Sequence, residues 1–357
     1  MHGCSNIDKH HSFLGIRSTQ EDIIAHELSL EIGKDSQTFP IELSAAGIAE
    51  ALLVATSIGS ASGATIFMDE PAQKMHPNLQ GRFLDFIRES AKRDNNQFFL
   101  ITHSPYLIME EDIQHVWRFH LDNRITRSEN IGQTMEQLDT LDQDKIRLSL
   151  RSAEIRALLF SRGVVLVEGP SDKIVVEKTD AYAARIGKSA DLVSKEWSVI
   201  VAGSKSSFPT FFKLCKALGL PRIAIADSDA LMRIERTTNL STGQSQLSSL
   251  LLALHTVAEL TLEEEQIITE NSQSLISNEK DSYSEPKCRE AFQKIVESHH
   301  IFTFKIDPEA ALGIDVSGSG RKPMKALDEM VARIEDGNLP DELNELASFL
   351  KSHVDLF

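Results

Sequence analysis

The sequence predicts an α/β protein with two consecutive domains, each containing parallel β-strands. Short apolar runs at 64–68 and 164–167 are each followed by acidic residues, a pattern typical of buried strands that end at a polar edge. An amphipathic segment at 77–93 separates the first run from another apolar run at 97–102. Strands that alternate with helices indicate βαβ units, in which the strands run parallel and helices flank the sheet.

A polar, turn-rich stretch at 131–144 indicates the boundary between the two domains. We therefore predict a first domain over 1–140 and a second over 141–357, the second with a helical insertion and C-terminal helices. In the first domain, a helix is expected over 44–58 and a hairpin over 116–127.

The second domain has the clearer alternation of strands and helices. Its predicted strands cover 164–167, 198–201 and 222–226. Its predicted helices cover 145–160, 171–186, 208–218, 286–298, 325–335 and 341–351. Two stretches rich in Ser, Thr, Asn and Gln, at 237–249 and 270–286, predict loops.

Composition is that of an ordinary soluble protein, with 41% hydrophobic and 25% charged residues among 357. No apolar run approaches the roughly 18 residues that a membrane span needs, so no membrane partner is expected. The three cysteines, Cys4, Cys215 and Cys288, show no CxxC spacing, which favours a reducing cytoplasmic location over a zinc site or disulfides. The net charge of −16 argues against a general polyanion-binding surface, although it leaves a local nucleic-acid site open.

Acidic residues follow two predicted strands of the second domain. Glu168 ends the run at 164–167 with Asp172 in the next turn, and Asp227 and Asp229 follow the run at 222–226. Their i, i+2 spacing puts Asp227 and Asp229 on one face while the chain is extended. Because the carboxyl ends of parallel strands meet at one edge, both pairs are expected to converge there. Oxygen ligands without Cys or His favour Mg²⁺ or Mn²⁺; the alternative is helix caps and an acidic turn.

The pattern E-G-x-x-D followed by D-x-D resembles the Toprim domain of topoisomerases, primases, RecR-type repair proteins and OLD-family nucleases (overcoming lysogenisation defect). The similarity spans about 160–325. VIVAGSKSS at 199–207 is similar to the second Toprim strand and its glycine turn, with Gly203 at the turn. An ordinary strand-to-helix loop is an equal alternative to a direct substrate contact there.

Two later segments favour the nuclease branch of this resemblance. FTFKIDPEAAL at 302–312 resembles the late acidic motif of OLD-type sites, which implies Glu309, or else Asp307, as a ligand of a second metal ion. SGSGRKPMKAL at 317–327 resembles the Gly-Lys-Pro motif, with Lys322 to stabilise charge on the scissile phosphate and Arg321 where glycine is usual. The alternatives are an acidic helix start and a solvated lysine.

The first domain resembles the C-terminal lobe of an ABC-type ATPase. ATIFMDEPAQKMHPNLQ at 64–80 is similar to a Walker B strand and D-loop, which implies that Asp69 holds Mg²⁺ through water and Glu70 polarises the attacking water. FFLITHSP at 98–105 is similar to the switch strand, with His103 as γ-phosphate sensor. LSAAGIAEAL at 43–52 resembles a degenerate signature that would offer Ser44 and Gly47 to nucleotide on a partner subunit; a small-residue helix start is the alternative.

No G-x-x-x-x-G-K-[ST] motif occurs in the sequence. Without that phosphate-binding loop the chain cannot form a complete ATP site alone. We expect truncation or a split gene, with a separate chain supplying the Walker A loop, rather than a degenerate ATPase half with only a structural role.

The resemblance implies an ATP-linked DNA endonuclease of OLD type with two Mg²⁺ or Mn²⁺ ions, acting in anti-phage defence or DNA processing as a homodimer or larger assembly. A topoisomerase or primase is one alternative, but a topoisomerase needs a nucleophilic tyrosine. None of Tyr106, Tyr182 and Tyr283 lies in a suitable context. A non-catalytic DNA-repair or assembly module is the other alternative.

Overall fold

The computed structural model describes residues 12–18, 28–34, 37–40, 45–122, 124–275, 286–305, 328, 331–332, 335–336 and 339–357. The chain forms two compact units, Met1–Leu107 and Ile108–Phe357. Both mix helices with strands, and parallel pairing occurs in each, which confirms the predicted α/β class. Among the helices in these ranges, none combines the length and apolarity that crossing a bilayer requires.

The first unit contains a three-stranded antiparallel sheet and a parallel strand pair. Its strands are β1 (Ser12–Ser18), β2 (Leu28–Lys34), β3 (Gln37–Pro40), β4 (Thr65–Asp69) and β5 (Gln97–Ile101). Its helices are α1 (Ala46–Gly59) and α2 (Pro77–Arg93). β4 pairs with β5 in parallel, and α2 lies between them in sequence, so this segment is a βαβ unit.

Helix α2 matches the predicted range because its sequence carries clear end signals. Pro77 stands at the first helical position, and the His76 Nδ1 accepts a hydrogen bond from the Asn78 N–H at 3.3 Å. Lys92 and Arg93 occupy the last turn, where cations interact favourably with the helix dipole.

The second unit is organised around a four-stranded parallel sheet of order β13-β10-β8-β9. Its members are β8 (Gly163–Val167), β9 (Trp197–Val201), β10 (Arg222–Ala226) and β13 (Ile301–Thr303). Two antiparallel hairpins join β6 (Trp117–Asp122) to β7 (Ile125–Asn130) and β11 (Ile234–Leu240) to β12 (Gly243–Ser248). The three predicted strands agree with β8, β9 and β10 to within one residue.

Helices cover both faces of this sheet. They are α3 (Ile131–Glu136), α4 (Thr140–Ser149), α5 (Ala153–Ala157), α6 (Pro170–Arg185), α7 (Phe208–Ala217), α8 (Ser228–Met232), α9 (Ser249–Thr256), α10 (Leu262–Leu275), α11 (Pro286–Ser298) and α12 (Asp341–Val354). Val164 and Leu166 pack into one hydrophobic core, whereas Val165 and Val167 pack into a second. Every β8 residue is buried, which explains its uninterrupted apolar sequence.

Three expectations about local structure were wrong. The predicted loop at 237–249 is instead the β11–β12 hairpin and the start of α9, because Leu240 and Leu247 are buried although the hairpin is otherwise polar. The predicted loop at 270–286 begins inside α10, which continues to Leu275, and 276–285 lie outside the described residues.

The predicted helix over 145–160 is divided into α4, α5 and a short 3₁₀ helix, Leu158–Phe160. The Ser152 hydroxyl accepts a hydrogen bond from the Glu154 N–H at 3.3 Å and so starts a new helix. The predicted helix over 325–335 lies mostly outside the described residues.

Residues 108–140 pack within the second unit, although the sequence suggested a boundary after residue 140. Arg118 on β6 is 8% exposed and donates to the carbonyl oxygens of Leu159, Ser161 and Leu218 at 3.1, 3.1 and 3.2 Å. Burial lowers the pKa of this guanidinium. The division of the sequence into domains at 140/141 stays a prediction, whereas the packing of the hairpin is fixed by this buried cation.

Replacing Arg118 is expected to destabilise the second unit. In Arg118→Met the three carbonyl oxygens lose their donors, which should lower the free energy of unfolding by about 3 kcal/mol. Both tryptophans, Trp117 and Trp197, lie in this unit, so urea unfolding followed by tryptophan fluorescence measures it selectively.

The control is Arg127→Met, an exposed arginine on the same hairpin, which should change the free energy of unfolding by no more than about 0.5 kcal/mol. Equal effects of the two substitutions would contradict the anchoring role of Arg118.

Candidate active site

The acidic residues of the second unit follow two neighbouring parallel strands. Val167 on β8 pairs with Ile225 on β10, so Glu168 and Asp227 leave the sheet at the same edge. β9 flanks β8 on its other side, and the Gly203 N–H donates to the Glu168 carbonyl oxygen at 3.1 Å. Three strand ends therefore meet around Glu168.

Glu168 is placed in a partly desolvated position near other acids. Its Oε2 atom is buried and has no hydrogen-bond partner among the described residues. Burial raises the pKa of the Glu168 carboxyl, and the negative charges of Asp229 and Glu235 raise it further, whereas Lys205 lowers it. A carboxylate oxygen in this position is available to a cation or a proton.

Asp172 is used as a helix cap. Its side chain is largely buried, and its Oδ2 accepts a hydrogen bond from the Gly169 N–H at 2.8 Å at the start of α6. The structure thus realises the capping alternative that the sequence left open. The metal-ligating role of Asp172 stays a prediction.

Asp227 and Asp229 are not on one extended strand face, so that part of the sequence argument was wrong. Asp227 is the last extended residue, and α8 begins at Ser228, which puts Asp229 in a helical first turn. The Ala230 N–H donates to the Asp227 carbonyl oxygen at 3.1 Å, which closes that turn. Asp229 nevertheless remains close enough to Glu168 to influence its pKa.

Lys205 was missed as a site residue. Its Nζ forms an ion pair with Asp229 Oδ2, and its positive charge opposes the rise in the pKa of the Glu168 carboxyl that burial causes. The lysine side chain is only 14% exposed. The available signal was a lysine two residues after the strand-end Gly203, in a domain whose neighbouring strand ends are acidic.

The donor chemistry of this edge fits a divalent cation, but no two-ion centre is preformed in the described part of the chain. Carboxylate oxygens are hard ligands of the kind that Mg²⁺ and Mn²⁺ prefer, and one buried Glu168 oxygen has no partner among the described residues. Within those residues, no three His, Cys, Asp or Glu side chains are gathered into a metal-binding group. Asp307, Glu309 and Lys322 lie outside the described residues.

The ATPase-like residues of the first unit also come together at parallel strand ends. Asp69 on β4 pairs with Ile101 on β5, and the Glu70 and His103 side chains follow. Glu70 Oε2 accepts a hydrogen bond from the His103 N–H at 3.4 Å, and His103 Nε2 lies 3.7 Å from Glu70 Oε1. Asp69 is exposed beside them. The nucleotide roles of these residues stay predictions.

Glu50, which the sequence did not single out, ties α1 to the loop after β4. Its two carboxylate oxygens accept hydrogen bonds from the N–H groups of Ala72 and Lys74, both at 3.1 Å. Ala72 is buried with φ of 67°, so this carboxylate stabilises a strained loop conformation.

Gly47 has a packing role in the same contact. A Cβ atom at Gly47 would lie 2.4 Å from the Lys74 carbonyl oxygen, so α1 approaches the loop closely only because this residue has no side chain. Its predicted contact with nucleotide on a partner subunit stays a prediction. Ser44 lies outside the described residues.

Gly47→Ala is expected to loosen α1 from the loop at 71–76. The added methyl group meets backbone rather than a movable side chain, so a cost of about 2 kcal/mol is expected. Hydrogen–deuterium exchange should speed up in peptides that cover 46–59 and 71–76.

Gly59→Ala on the same helix is the matched control, because no atom lies within 4 Å of its added Cβ. Exchange should stay unchanged or become slower in that variant, since alanine favours helix. Unchanged exchange in Gly47→Ala would refute the packing role.

Comparison with known proteins adds independent support for both units. Residues 159–229 match the family model "Overcoming lysogenization defect protein-like, TOPRIM domain". Residues 9–110 match an AAA domain model, AAA_21. The first segment contains Glu168, Lys205 and Asp229, and the second contains Glu70 and His103.

Individual relatives agree with these domain matches. The chain is 23% identical over 334 residues to the OLD nuclease of Thermus scotoductus, an alignment that covers 91% of this chain and 55% of the relative. It is 32% identical over 111 residues to endonuclease GajA of Bacillus cereus, covering 31% of this chain and 18% of that protein. The chain therefore spans about half the length of the first relative and about a fifth of the second.

A solved structure was also matched, the C-terminal region of the Xanthomonas campestris OLD protein. It is 18% identical with a TM-score of 0.26, and the match covers 56% of this chain and 86% of that structure.

A parallel sheet with acidic strand ends that matches this family model is a Toprim domain. The chain therefore carries a segment that matches an AAA domain, followed by a segment that matches an OLD-like Toprim domain.

Proposed function

We propose that this chain is the DNA-cutting part of an ATP-linked, divalent-metal-dependent endonuclease of OLD type. The observation that carries the proposal is the position of Glu168, Asp227 and Asp229 directly after two adjacent parallel strands, inside the segment that matches the OLD-like Toprim family. Two of the relatives are named as an OLD nuclease and an endonuclease, which supports hydrolysis of nucleic acid as the reaction class.

The residues of the edge have distinct expected roles. Glu168 offers a buried oxygen with no partner among the described residues, and Asp229 offers a partly exposed carboxylate. When bound, Mg²⁺ or Mn²⁺ would supply activation of the attacking water and stabilisation of the leaving oxygen. We include Glu309 as a ligand for a second ion and Lys322 as a phosphate contact on the strength of the family resemblance.

The ATP link rests on the first unit. Glu70 and His103 contact each other at the ends of β4 and β5, an arrangement suited to polarising water and sensing a phosphate. Because the given sequence contains no phosphate-binding loop, we propose that nucleotide binding needs such a loop from outside this sequence, and that the working form is a homodimer or larger assembly. Anti-phage defence or DNA processing is the proposed setting, and a cytoplasmic location stays a prediction.

The proposal predicts metal-dependent nicking of DNA by the purified chain. Supercoiled plasmid incubated with Mg²⁺ or Mn²⁺ should be converted to the open-circular form, and agarose electrophoresis measures the rate. Glu168→Gln and Asp227→Asn should each slow nicking by about a hundredfold or more, because each removes a charged metal ligand without changing side-chain size.

Glu177→Gln is the matched control. Glu177 lies on α6 and lines a cavity with Trp197 at the opposite, N-terminal end of β9, so nicking should be unaffected. Nicking by Glu168→Gln and Asp227→Asn at the rate of the parent chain would defeat the nuclease proposal.

A second candidate is a non-catalytic ATPase–Toprim assembly module. It is favoured by the observation that Asp172 and Asp229 already have partners within the protein, in Gly169 and Lys205. This candidate predicts that the parent chain fails to nick plasmid at any metal concentration while still folding, as measured by circular dichroism.

A further inference from the structure

We propose that Lys205 is an exchangeable counter-ion of the acidic edge: its ammonium neutralises Asp229 before metal binds, is displaced by the metal, and then contacts the substrate phosphate. The inference rests on the proposed nuclease function and extends it to a residue that none of the matched motifs assigns. In this proposal the acidic residues hold the metal, and Lys205 helps to position the substrate.

The contacts of Lys205 reach both acidic strand ends. Its Nζ pairs with Asp229, which follows β10, and its positive charge acts on Glu168, which follows β8. The residue itself comes from the loop after β9. A single lysine therefore joins the ends of three neighbouring strands.

The loop that carries Lys205 is held in a defined conformation. Gly203 has φ of 89°, a left-handed value that favours glycine, and its N–H donates to the Glu168 carbonyl oxygen. The Ser204 hydroxyl lies 3.0 Å from the hydroxyls of both Ser206 and Ser207. The short 3₁₀ helix Lys205–Ser207 then leads into α7. This turn directs the Lys205 side chain toward Asp229.

Burial makes the pairing with carboxylates necessary. The Lys205 side chain is 14% exposed, and a desolvated ammonium is stable only beside negative charge. Glu168, Asp229 and Glu235 supply that charge and otherwise repel one another. The ammonium thus lies where a divalent cation would relieve the same repulsion.

A divalent cation and the ammonium must compete for Asp229. The cation carries twice the charge and is attracted more strongly to the same oxygens, so it displaces Nζ. The long lysine side chain then lies beside the metal, where the phosphodiester of bound DNA carries negative charge.

The test measures Mn²⁺ affinity in the absence of DNA, by electron paramagnetic resonance of free Mn²⁺ with the full chain. Lys205→Met should bind Mn²⁺ about fivefold more tightly than the parent chain, because the competing cation is gone. Lys188→Met removes the same charge from an exposed site and should leave the affinity unchanged.

A nicking assay at saturating Mn²⁺ provides the second readout. Lys205→Met should nick plasmid about tenfold more slowly with a raised KM, and Lys205→Arg should recover most of the rate because it keeps the positive charge. Opposite changes in metal affinity and nicking rate would not result from a purely structural role of the lysine.

The outcomes separate this inference from the proposed function. Equal or weaker Mn²⁺ binding by Lys205→Met, with binding lost in Asp229→Asn, would overturn the counter-ion role and leave the metal-dependent nuclease standing. Absence of Mn²⁺ binding in both the parent chain and Lys205→Met would overturn both. Binding by Lys205→Met alone would support the counter-ion role.

Discussion

The candidate site depends on the parallel pairing of β8 with β10. Val167 lies opposite Ile225, and this register brings Glu168 and Asp227 out of the sheet at the same edge. Both faces of the sheet are packed into hydrophobic cores, so a slip by one residue would exchange the side chains between the two cores. Core packing therefore fixes the separation of the acidic residues, although none of them belongs to either core.

Carboxylates placed at one edge of the sheet repel one another, and three features of the protein reduce this repulsion. The pKa of Glu168 is raised by burial and by its acidic neighbours, so its charged form is partly disfavoured. Asp172 is satisfied by the Gly169 N–H, and Asp229 by Lys205. The edge can consequently exist without metal, and the same arrangement leaves one Glu168 oxygen available for an ion.

The first unit repeats this architecture with different chemistry. Parallel pairing of β4 and β5 brings Glu70 to His103, and parallel pairing of β8 and β10 places acidic residues at one edge of the sheet. Glu50 and Gly47 hold α1 against the loop that follows β4. In both units, strand pairing determines which residues lie at the same edge of the sheet. Contacts made by the neighbouring loops then determine the distances between their side chains.

The sequence by itself determined the buried parallel strands β4, β5, β8, β9 and β10, their order along the chain and the acidic residues that follow β4, β8 and β10, because apolar runs of this length and turn residues act locally. It left open whether Asp172 serves as a cap and whether Asp229 lies in a turn, and it could not predict that Lys205 reaches Asp229 across 24 residues of sequence. It also missed the β11–β12 hairpin, whose few apolar residues are buried only by distant contacts. The Lys205–Asp229 pair and the burial of the hairpin were decided by the tertiary structure. The pair forms only because the sheet brings the ends of β9 and β10 to one edge, and Leu240 and Leu247 are buried only by packing with distant segments.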